Sequence, residues 1–263
     1  MTEKSDYNRG KLKLIFIGSF NAEKHGVFGG VARSCGVLMQ SEFATSFQII
    51  PLDSTQRSNP PPTLTLRWMF AVKRLFVFLF LLVWHRPSGV LAFASGSLSF
   101  IEKSLLLWIA SLMRCKTFLF PRAGSIIEWV EQSPLRPFLV QLMLKRVSCV
   151  FCQGKTFKKF ASDVCKVKDE NIVIVNNWTA CKSDVARGRI RLTKQIGFKK
   201  SRLLFVGWLE NEKGVWDLIE ALSYVRKRGR NFKVSVVGDG SQKDKLVAKA
   251  KELGISNMLD FKG

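Results

Sequence analysis

Residues 202–240 read RLLFVGWLENEKGVWDLIEALSYVRKRGRNFKVSVVGDG, and this stretch decides the fold. The apolar run Arg202–Val206 predicts a buried strand. Lys213–Arg228 predicts a helix, because its apolar residues recur at helical spacing and Gly229 follows as a stop. Phe232–Val237 predicts a second strand. Strands that alternate with single helices over short connections form a parallel sheet with right-handed crossovers.

The alternation continues in both directions along the chain. Downstream, the Ser241 hydroxyl is expected to cap a helix that Gly254 ends, and Met258–Phe261 begins a third strand. Upstream, we predict strands at Leu12–Gly18, Phe47–Pro51, Gly89–Ala94, Lys116–Phe120, Cys149–Cys152 and Ile172–Val175. The helices expected between them are Val31–Met39, Thr65–Trp84, Leu98–Met113, Pro134–Arg146 and Lys155–Val164.

This pattern predicts an α/β protein with two parallel-sheet domains. The first occupies residues 1–180, a basic and weakly patterned linker occupies 181–200, and an incomplete second domain occupies 201–263. With 263 residues, of which 47% are hydrophobic, the chain has enough apolar material to fold.

A net charge of +22 is the unusual feature of the composition. It favours anionic partners, which are nucleotide phosphates, an anionic lipid surface or nucleic acid, although a solvated basic surface explains it equally well. No nucleic-acid-binding module accompanies the charge, so we expect no nucleic-acid partner. The polar start Met1–Asp6 is not a signal peptide, and a cytoplasmic location is expected.

The segment Thr65–Trp84 is the most apolar helix of the chain, and two interpretations stay open for it. Its charge-free core, Leu75–Trp84, is too short to span a bilayer. With Trp68 and its basic neighbours, the helix suits a membrane interface. The alternative, which we favour, is a buried helix that packs on a sheet.

The Cys and His residues argue against a metal site and against a Ser-His-Asp hydrolase. Cys149 and Cys152 form a C-x-x-C, but they lie in an apolar strand without a second pair or a suitable His, so we expect no metal site. Only two His occur, His25 and His85, which leaves little room for a Ser-His-Asp hydrolase.

Three loops are candidates for phosphate or nucleotide binding. Gly29 and Gly30 belong to the glycine-rich loop 26–33, which either brings helix amides close to a phosphate or makes a tight strand-to-helix turn. Lys213 precedes a helix, where it either binds a diphosphate or is a surface lysine. Gly238–Gly240 follows a strand at the edge where open α/β sheets bind ligands, although Asp-Gly also suits an ordinary turn.

In this order and spacing, the motifs resemble glycosyltransferase family 4, also called group 1 glycosyltransferases, which have the GT-B fold. The resemblance rests on 204–207, 212–214, 218–222, 236–240, 250–254 and 261–263. It is looser before residue 200, where Gly29-Gly30-Val31 and Val173–Trp178 carry it.

The resemblance implies two facing Rossmann-like domains that transfer a sugar from a nucleotide-sugar to an acceptor, with retention and without a metal or other cofactor. By resemblance, Lys213 contacts the donor diphosphate and Gly29 and Gly30 pack against it. Gly238, Asp239 and Gly240 line the nucleotide. The implied partners are a UDP- or GDP-sugar and a glycan or lipid-linked acceptor. The basic charge and the Trp- and Phe-rich helix would also suit a peripheral position on an anionic inner membrane surface.

Three departures from the family pattern affect the site. Trp208 replaces an Arg that commonly follows Gly207. Arg122 stands where many members have a His near the reacting sugar, so either Arg122 is the candidate catalytic residue in place of that His or the acceptor side differs. The acidic motif of the family, two Glu separated by seven residues, does not occur before residue 263. We therefore expect a C-terminally truncated member, and the alternative is a non-catalytic remnant or binding protein with this fold.

Overall fold

The computed structural model describes residues 10–26, 29–58, 61–178, 180, 182–194, 202–230 and 232–263. The chain divides into two compact units, residues 1–181 and 182–263, which we call unit 1 and unit 2. Each contains a parallel sheet with helices, so the predicted α/β class with two parallel sheets is confirmed.

Unit 1 is built on a sheet of six parallel strands in the order β2-β1-β3-β4-β5-β6. β3, which lies inside the sheet, is buried at all six positions, because helices and loops cover both of its faces. The strands are β1 Lys13–Gly18, β2 Gln48–Asp53, β3 Gly89–Ala94, β4 Lys116–Pro121, β5 Cys149–Cys152 and β6 Ile172–Ile174.

Eight helices in the described part of unit 1 connect these strands. The long ones follow the predicted segments, whereas three short ones were not predicted because they are too short to show a helical period. The helices are α1 Ala22–His25, α2 Gly30–Met39, α3 Glu42–Ser46, α4 Leu64–His85, α5 Ser97–Leu112, α6 Ser125–Glu131, α7 Leu135–Leu144 and α8 Lys155–Lys159. α8 runs on into a single π turn, Phe160–Val164.

Alternate residues of the central strands pack into two cores. Ile15 and Ile17 belong to the larger core, together with Phe78 and Leu82 of α4. On the other face, Phe16 packs in a smaller aromatic core that α2 and α3 contribute to. This alternation follows from the period of two along a strand, and it fixes which helices cover which face.

The helix α4 departs from the favoured interpretation. Phe78 and Leu82 are fully buried on its inner side, as predicted for a helix that packs on a sheet. Its outer side carries ten exposed large apolar residues, so the interpretation as a buried helix is wrong for that side. No helix in the described part of the chain is long and apolar enough to cross a bilayer.

Unit 2 contains a three-stranded parallel sheet in the order β7-β8-β9. The strands are β7 Arg202–Val206, β8 Lys233–Val237 and β9 Leu259–Phe261, and the helices are α9 Lys182–Lys194, α10 Val215–Lys227 and α11 Lys243–Glu252. The first part of the predicted linker 181–200 is thus the helix α9, and residues 195–200 lie outside the described residues.

One face of the second sheet is covered and the other is open. Val234 and Val236 are buried in a core to which α10 and α11 contribute Ile219 and Leu246. The expectation of a buried strand at Arg202–Val206 is wrong, because β7 is an edge strand in which Leu203, Leu204 and Val206 are 43%, 67% and 70% exposed.

The loops after β7 and β8 are in direct backbone contact. A Cβ on Gly238 would lie 1.9 Å from the Gly207 carbonyl oxygen, and its φ of +143° is a conformation that other residues rarely adopt. A Cβ on Gly240 would lie 2.5 Å from the Leu209 carbonyl oxygen. Both positions therefore require glycine for packing alone.

We predict that Gly238→Ala destabilises unit 2 by about 3 kcal/mol or more, because the added methyl group overlaps backbone that cannot move aside. Urea unfolding followed by circular dichroism measures the loss. Gly207→Ala is the matched control, since a Cβ there meets only the Phe205 ring at 3.7 Å. Equal stability of the two variants would contradict the close packing.

Candidate functional site

The carboxyl edge of the first sheet is organised by Asp53, the last residue of β2. Its Oδ1 accepts hydrogen bonds from the Phe20 backbone N–H over 3.0 Å and from the Thr55 hydroxyl over 2.5 Å. Thr55 Oγ1 also accepts the Asn21 backbone N–H. Burial opposes the charged carboxylate, but these donors hold the pKa of Asp53 below its ordinary value. Asp53 thus fixes the loop that follows β1.

The helix α2 approaches the end of β1 closely. A Cβ on Gly18 would lie 2.8 Å from Cys35 Sγ, and the Ser19 backbone N–H donates to that sulfur. Burial raises the pKa of the Cys35 thiol to about 11, which keeps it neutral. The close packing at Gly18 was not predicted from the sequence, although a glycine at the end of a predicted strand could have indicated it.

The predicted phosphate-binding glycines lie at the start of α2. Gly29 is the N-cap in an extended conformation and Gly30 is the first helical residue. Both are exposed, and a Cβ on either would meet no atom of the described residues within 4 Å. Packing therefore does not require glycine at these two positions, in contrast to Gly18. Residues 27 and 28 of the same loop lie outside the described residues.

Arg122 follows β4 and lies against an aromatic cluster. Its guanidinium carbon is 4.8 Å from the Phe120 ring centroid and 4.9 Å from that of Trp178. One terminal nitrogen, Nη2, donates to Ser34 Oγ of α2 over 2.5 Å. The other, Nη1, is buried without a hydrogen-bond partner among the described residues. Burial lowers the pKa of Arg122 from its usual value.

Ser34 of α2, which accepts the bond from Arg122, also exchanges two hydrogen bonds with Trp178. The Ser34 hydroxyl donates to the Trp178 carbonyl, and the Trp178 indole N–H donates to the Ser34 carbonyl, each over 3.0 Å. The predicted residues Arg122 and Gly30 are therefore joined through one helix. Trp178 belongs to the segment that resembles the family, whereas Ser34 has no motif around it and was not predicted.

An apolar cavity of about 410 Å³ adjoins this cluster. Phe93, Phe120 and Trp178 line it together with other apolar side chains, and Ser41 is the polar exception. A nucleotide diphosphate needs several hydrogen-bond donors, which this lining lacks. The cavity is therefore not where a nucleotide would bind.

In unit 2, Lys213 lies at the start of α10. It ends the 3-10 turn Asn211–Lys213, and Gly214 follows in a left-handed conformation with φ +70° as the N-cap of α10. The Lys213 side chain is exposed, and no ion pair holds it within the described parts of the chain. An exposed ammonium beside a helix N-terminus, where amide N–H groups lack partners, suits an anion.

The segment Gly238–Gly240 packs against the loop that leads to Lys213. The Leu209 backbone N–H donates to the Asp239 carbonyl over 2.9 Å, and Asp239 Oδ1 accepts the Gly240 N–H. The Asp239 carboxylate is largely exposed and lies 3.5 Å from the Lys243 ammonium. The three predicted nucleotide-lining residues and Lys213 therefore lie on connected loops at one sheet edge.

Ser241 does not cap a helix, which corrects the expectation. Its hydroxyl donates to Glu210 Oε2 over 2.6 Å and its N–H donates to Oε1 over 3.0 Å, while α11 begins only at Lys243. Both bonds from Ser241 lower the pKa of Glu210. The carboxylate of the preceding loop competes successfully for the hydroxyl, because a charge-assisted bond is stronger than a neutral one.

Cys35, Cys152 and Cys165 are buried. Burial raises the pKa of Cys152 to about 11 and that of Cys165 to about 12, so both thiols stay protonated. Within the described ranges, no group of three or more His, Cys, Asp or Glu could hold a metal ion.

Residues 189–263 match the family model described as "Glycosyl transferases group 1", which covers most of unit 2. No curated protein matches the sequence.

Several solved structures resemble the chain over nearly its whole length. The apo form of the lipopolysaccharide outer core galactosyltransferase WaaB is 16% identical, with a TM-score of 0.56 over 96% of this chain and 68% of that one. Anabaena HepE in complex with UDP and glucose is 15% identical, with a TM-score of 0.53 and coverages of 96% and 69%. Sucrose-phosphate synthase from Thermosynechococcus elongatus is 13% identical, with a TM-score of 0.69 and coverages of 96% and 70%.

Identities at this level show the fold alone, which is the GT-B fold of glycosyltransferases. Together with the family match on unit 2, the shared fold confirms the resemblance to group 1 glycosyltransferases. The roles of Arg122, Gly29, Gly30, Lys213 and 238–240 stay predictions.

We predict that Asp53→Asn lowers the free energy of unfolding by about 1 kcal/mol at pH 7, because charge-assisted hydrogen bonds become neutral ones. The folded-state pKa of Asp53 is depressed, so its contribution is complete above the ordinary value of 3.8 and is lost as the pH falls through the lower, folded value.

Thermal unfolding between pH 7 and pH 3 measures this effect. The difference between the wild type and Asp53→Asn should shrink at the acid end, whereas the exposed Asp169→Asn should differ little throughout. A difference that stays constant to pH 3 would show that the Asp53 carboxylate is not specially stabilised.

Proposed function

We propose that this glycosyltransferase moves a sugar from a UDP- or GDP-sugar to a glycan or lipid-linked acceptor, with retention of the anomeric configuration, in polysaccharide or glycoconjugate biosynthesis. The observation that carries the proposal is at the carboxyl edge of unit 2. There the exposed Lys213 precedes the N-terminus of α10, inside the segment that matches the family model.

The loops of unit 2 carry a cation and helix amides, which are the groups that stabilise a departing diphosphate. When the bond from the sugar to the diphosphate breaks, negative charge grows on the leaving oxygen. A cation and helix amides aimed at that oxygen stabilise it without a metal. We assign the cation to Lys213 and the amides to the start of α10, and we assign contacts with the nucleotide to Gly238, Asp239 and Gly240.

The close packing of the unit 2 loops supports this assignment. Gly238 and Gly240 lie against the backbone of the 207–209 loop, and the Glu210–Ser241 pair joins the two loops further on. Loops tied to one another in this way lose little entropy when a ligand binds, so the site is prepared in advance.

In unit 1, we assign donor contacts to Gly29 and Gly30, where the open space around both glycines lets a ligand approach the backbone. We assign Arg122 to the acceptor side as a fixed positive charge. Its guanidinium is oriented by Ser34 and by the aromatic rings beneath it, which leaves the residue few alternative conformations.

The proposed place of action is the cytoplasmic face of the inner membrane, where the protein is peripheral. The net charge of +22 supports attraction to anionic lipid, and a lipid-linked acceptor would be presented there.

Calorimetric titration with a set of UDP- and GDP-sugars tests the proposal. We expect one of them to bind saturably and Lys213→Ala to weaken that binding by about tenfold or more, since a charge-assisted contact is lost. Lys227→Ala, an exposed lysine at the far end of α10, is the matched control and should bind as the wild type does.

Failure of the folded wild type to bind any sugar nucleotide would contradict the proposal and favour a non-catalytic protein with this fold. Equal binding by the wild type and Lys213→Ala would remove Lys213 from the site.

A further inference from the structure

The outer side of α4 is a continuous apolar surface. We define the α4 face as six exposed residues along this outer side, which recur at helical spacing: Trp68, Met69, Val72, Phe76, Phe80 and Trp84. Phe80 and Trp84 stack on each other with ring centroids 5.8 Å apart. An exposed apolar patch that spans a whole helix costs solubility, so it indicates an interaction surface.

The α4 face is held in its outward orientation by the inner side of the helix. Phe78 is completely buried there and Leu82 is 1% exposed. Arg74 forms an ion pair with Glu102 of α5 and donates to the Asp53 carbonyl. These contacts fix the rotation of the helix, so the α4 face cannot turn inward without breaking a partly buried ion pair and removing Phe78 and Leu82 from the core.

The chain segment that contains the α4 face carries charged residues of one sign. Residues 54–101 contain no Asp or Glu, whereas five Arg or Lys occur there. The acidic residues that border this stretch face inward: Asp53 accepts hydrogen bonds from the β1 loop, and Glu102 pairs with Arg74 and Lys103. Lys73 is exposed between the apolar side chains of the face.

From the exposure, orientation and charge of this helix, we propose that the α4 face docks on an anionic lipid bilayer, with α4 lying flat in the interface. Trp68 and Trp84 are about 24 Å apart at 1.5 Å per residue, so both can reach the headgroup level when the helix lies flat. Apolar side chains then enter the acyl boundary while Lys73 meets lipid phosphates, as in other interfacial helices.

An anionic bilayer explains the surface better than a second copy of the chain. Two copies that joined through their α4 faces would bring the same basic stretch of each chain together, and like charges oppose that contact. A lipid surface supplies apolar and anionic groups in one layer. The inference rests on the peripheral membrane position proposed above and names the surface that would provide it. Vesicle binding needs no sugar nucleotide, so failure of membrane docking and failure of donor binding can be told apart.

Flotation of the full chain with vesicles of phosphatidylcholine containing 30% phosphatidylglycerol tests the inference. We expect the wild type to bind these vesicles and to bind pure phosphatidylcholine at least about tenfold more weakly. Phe76→Glu should reduce binding to the anionic vesicles by about tenfold or more, because it places a charge in the acyl boundary.

The matched control is Phe138→Glu on α7, since Phe138 and Phe76 are similarly exposed, at 70% and 67%. Phe138→Glu should float with the vesicles as the wild type does. Both variants should keep the wild-type thermal midpoint, because each replaced ring lies in solvent.

Equal flotation of the wild type and Phe76→Glu would overturn the inference, as would a wild type that binds no vesicles. A wild-type dimer in light scattering that Phe76→Glu converts to a monomer, without any vesicle binding, would instead make the α4 face a contact between copies.

Discussion

The backbone contact between the loops after β7 and β8 is the constraint on which the rest of unit 2 depends. Gly238 and Gly240 have no side chains, and only for that reason can their backbone lie against Gly207 and Leu209. The contact brings Glu210 within reach of Ser241 and places Lys213 at the start of α10. The positions of the candidate ligand-binding groups are thus a consequence of packing.

In unit 1, side chains hold the loops at the carboxyl edge of the sheet in place. Its carboxyl edge is fixed by Asp53, which collects donors from the neighbouring loop, and by the connection from Arg122 through Ser34 to Trp178. Burying an arginine costs desolvation, and the aromatic rings beneath the guanidinium offset part of that cost. The α4 face of unit 1 is exposed, so the contacts on the inner side of α4 hold that helix in place.

The sequence predicts helices and strands that have a local pattern. It does not predict features that depend on contacts between residues far apart in the chain. β3 and the long helices follow from apolar runs and periodicity, whereas α1, α3 and α6 have four, five and seven residues and show no period. Ser241 was expected to cap a helix, but Glu210, distant in sequence, takes its hydroxyl. For α4 the sequence left a membrane-interface helix and a helix that packs on a sheet open, because an apolar run does not show how much of the helix other elements cover. The sequence predicts that Lys213 and Gly238 lie at the same sheet edge, because loops after parallel strands share one edge. It gives no corresponding signal for Ser34.

Hydrogen exchange with and without a sugar nucleotide tests the central claim, that the joined loops of unit 2 bind the donor. UDP-glucose and GDP-mannose would be added in turn at saturating concentration. The account predicts slower amide exchange at 207–214 and 238–241 with the nucleotide that binds, and unchanged exchange along α4. Unchanged exchange in both loops, or protection confined to unit 1, would contradict it.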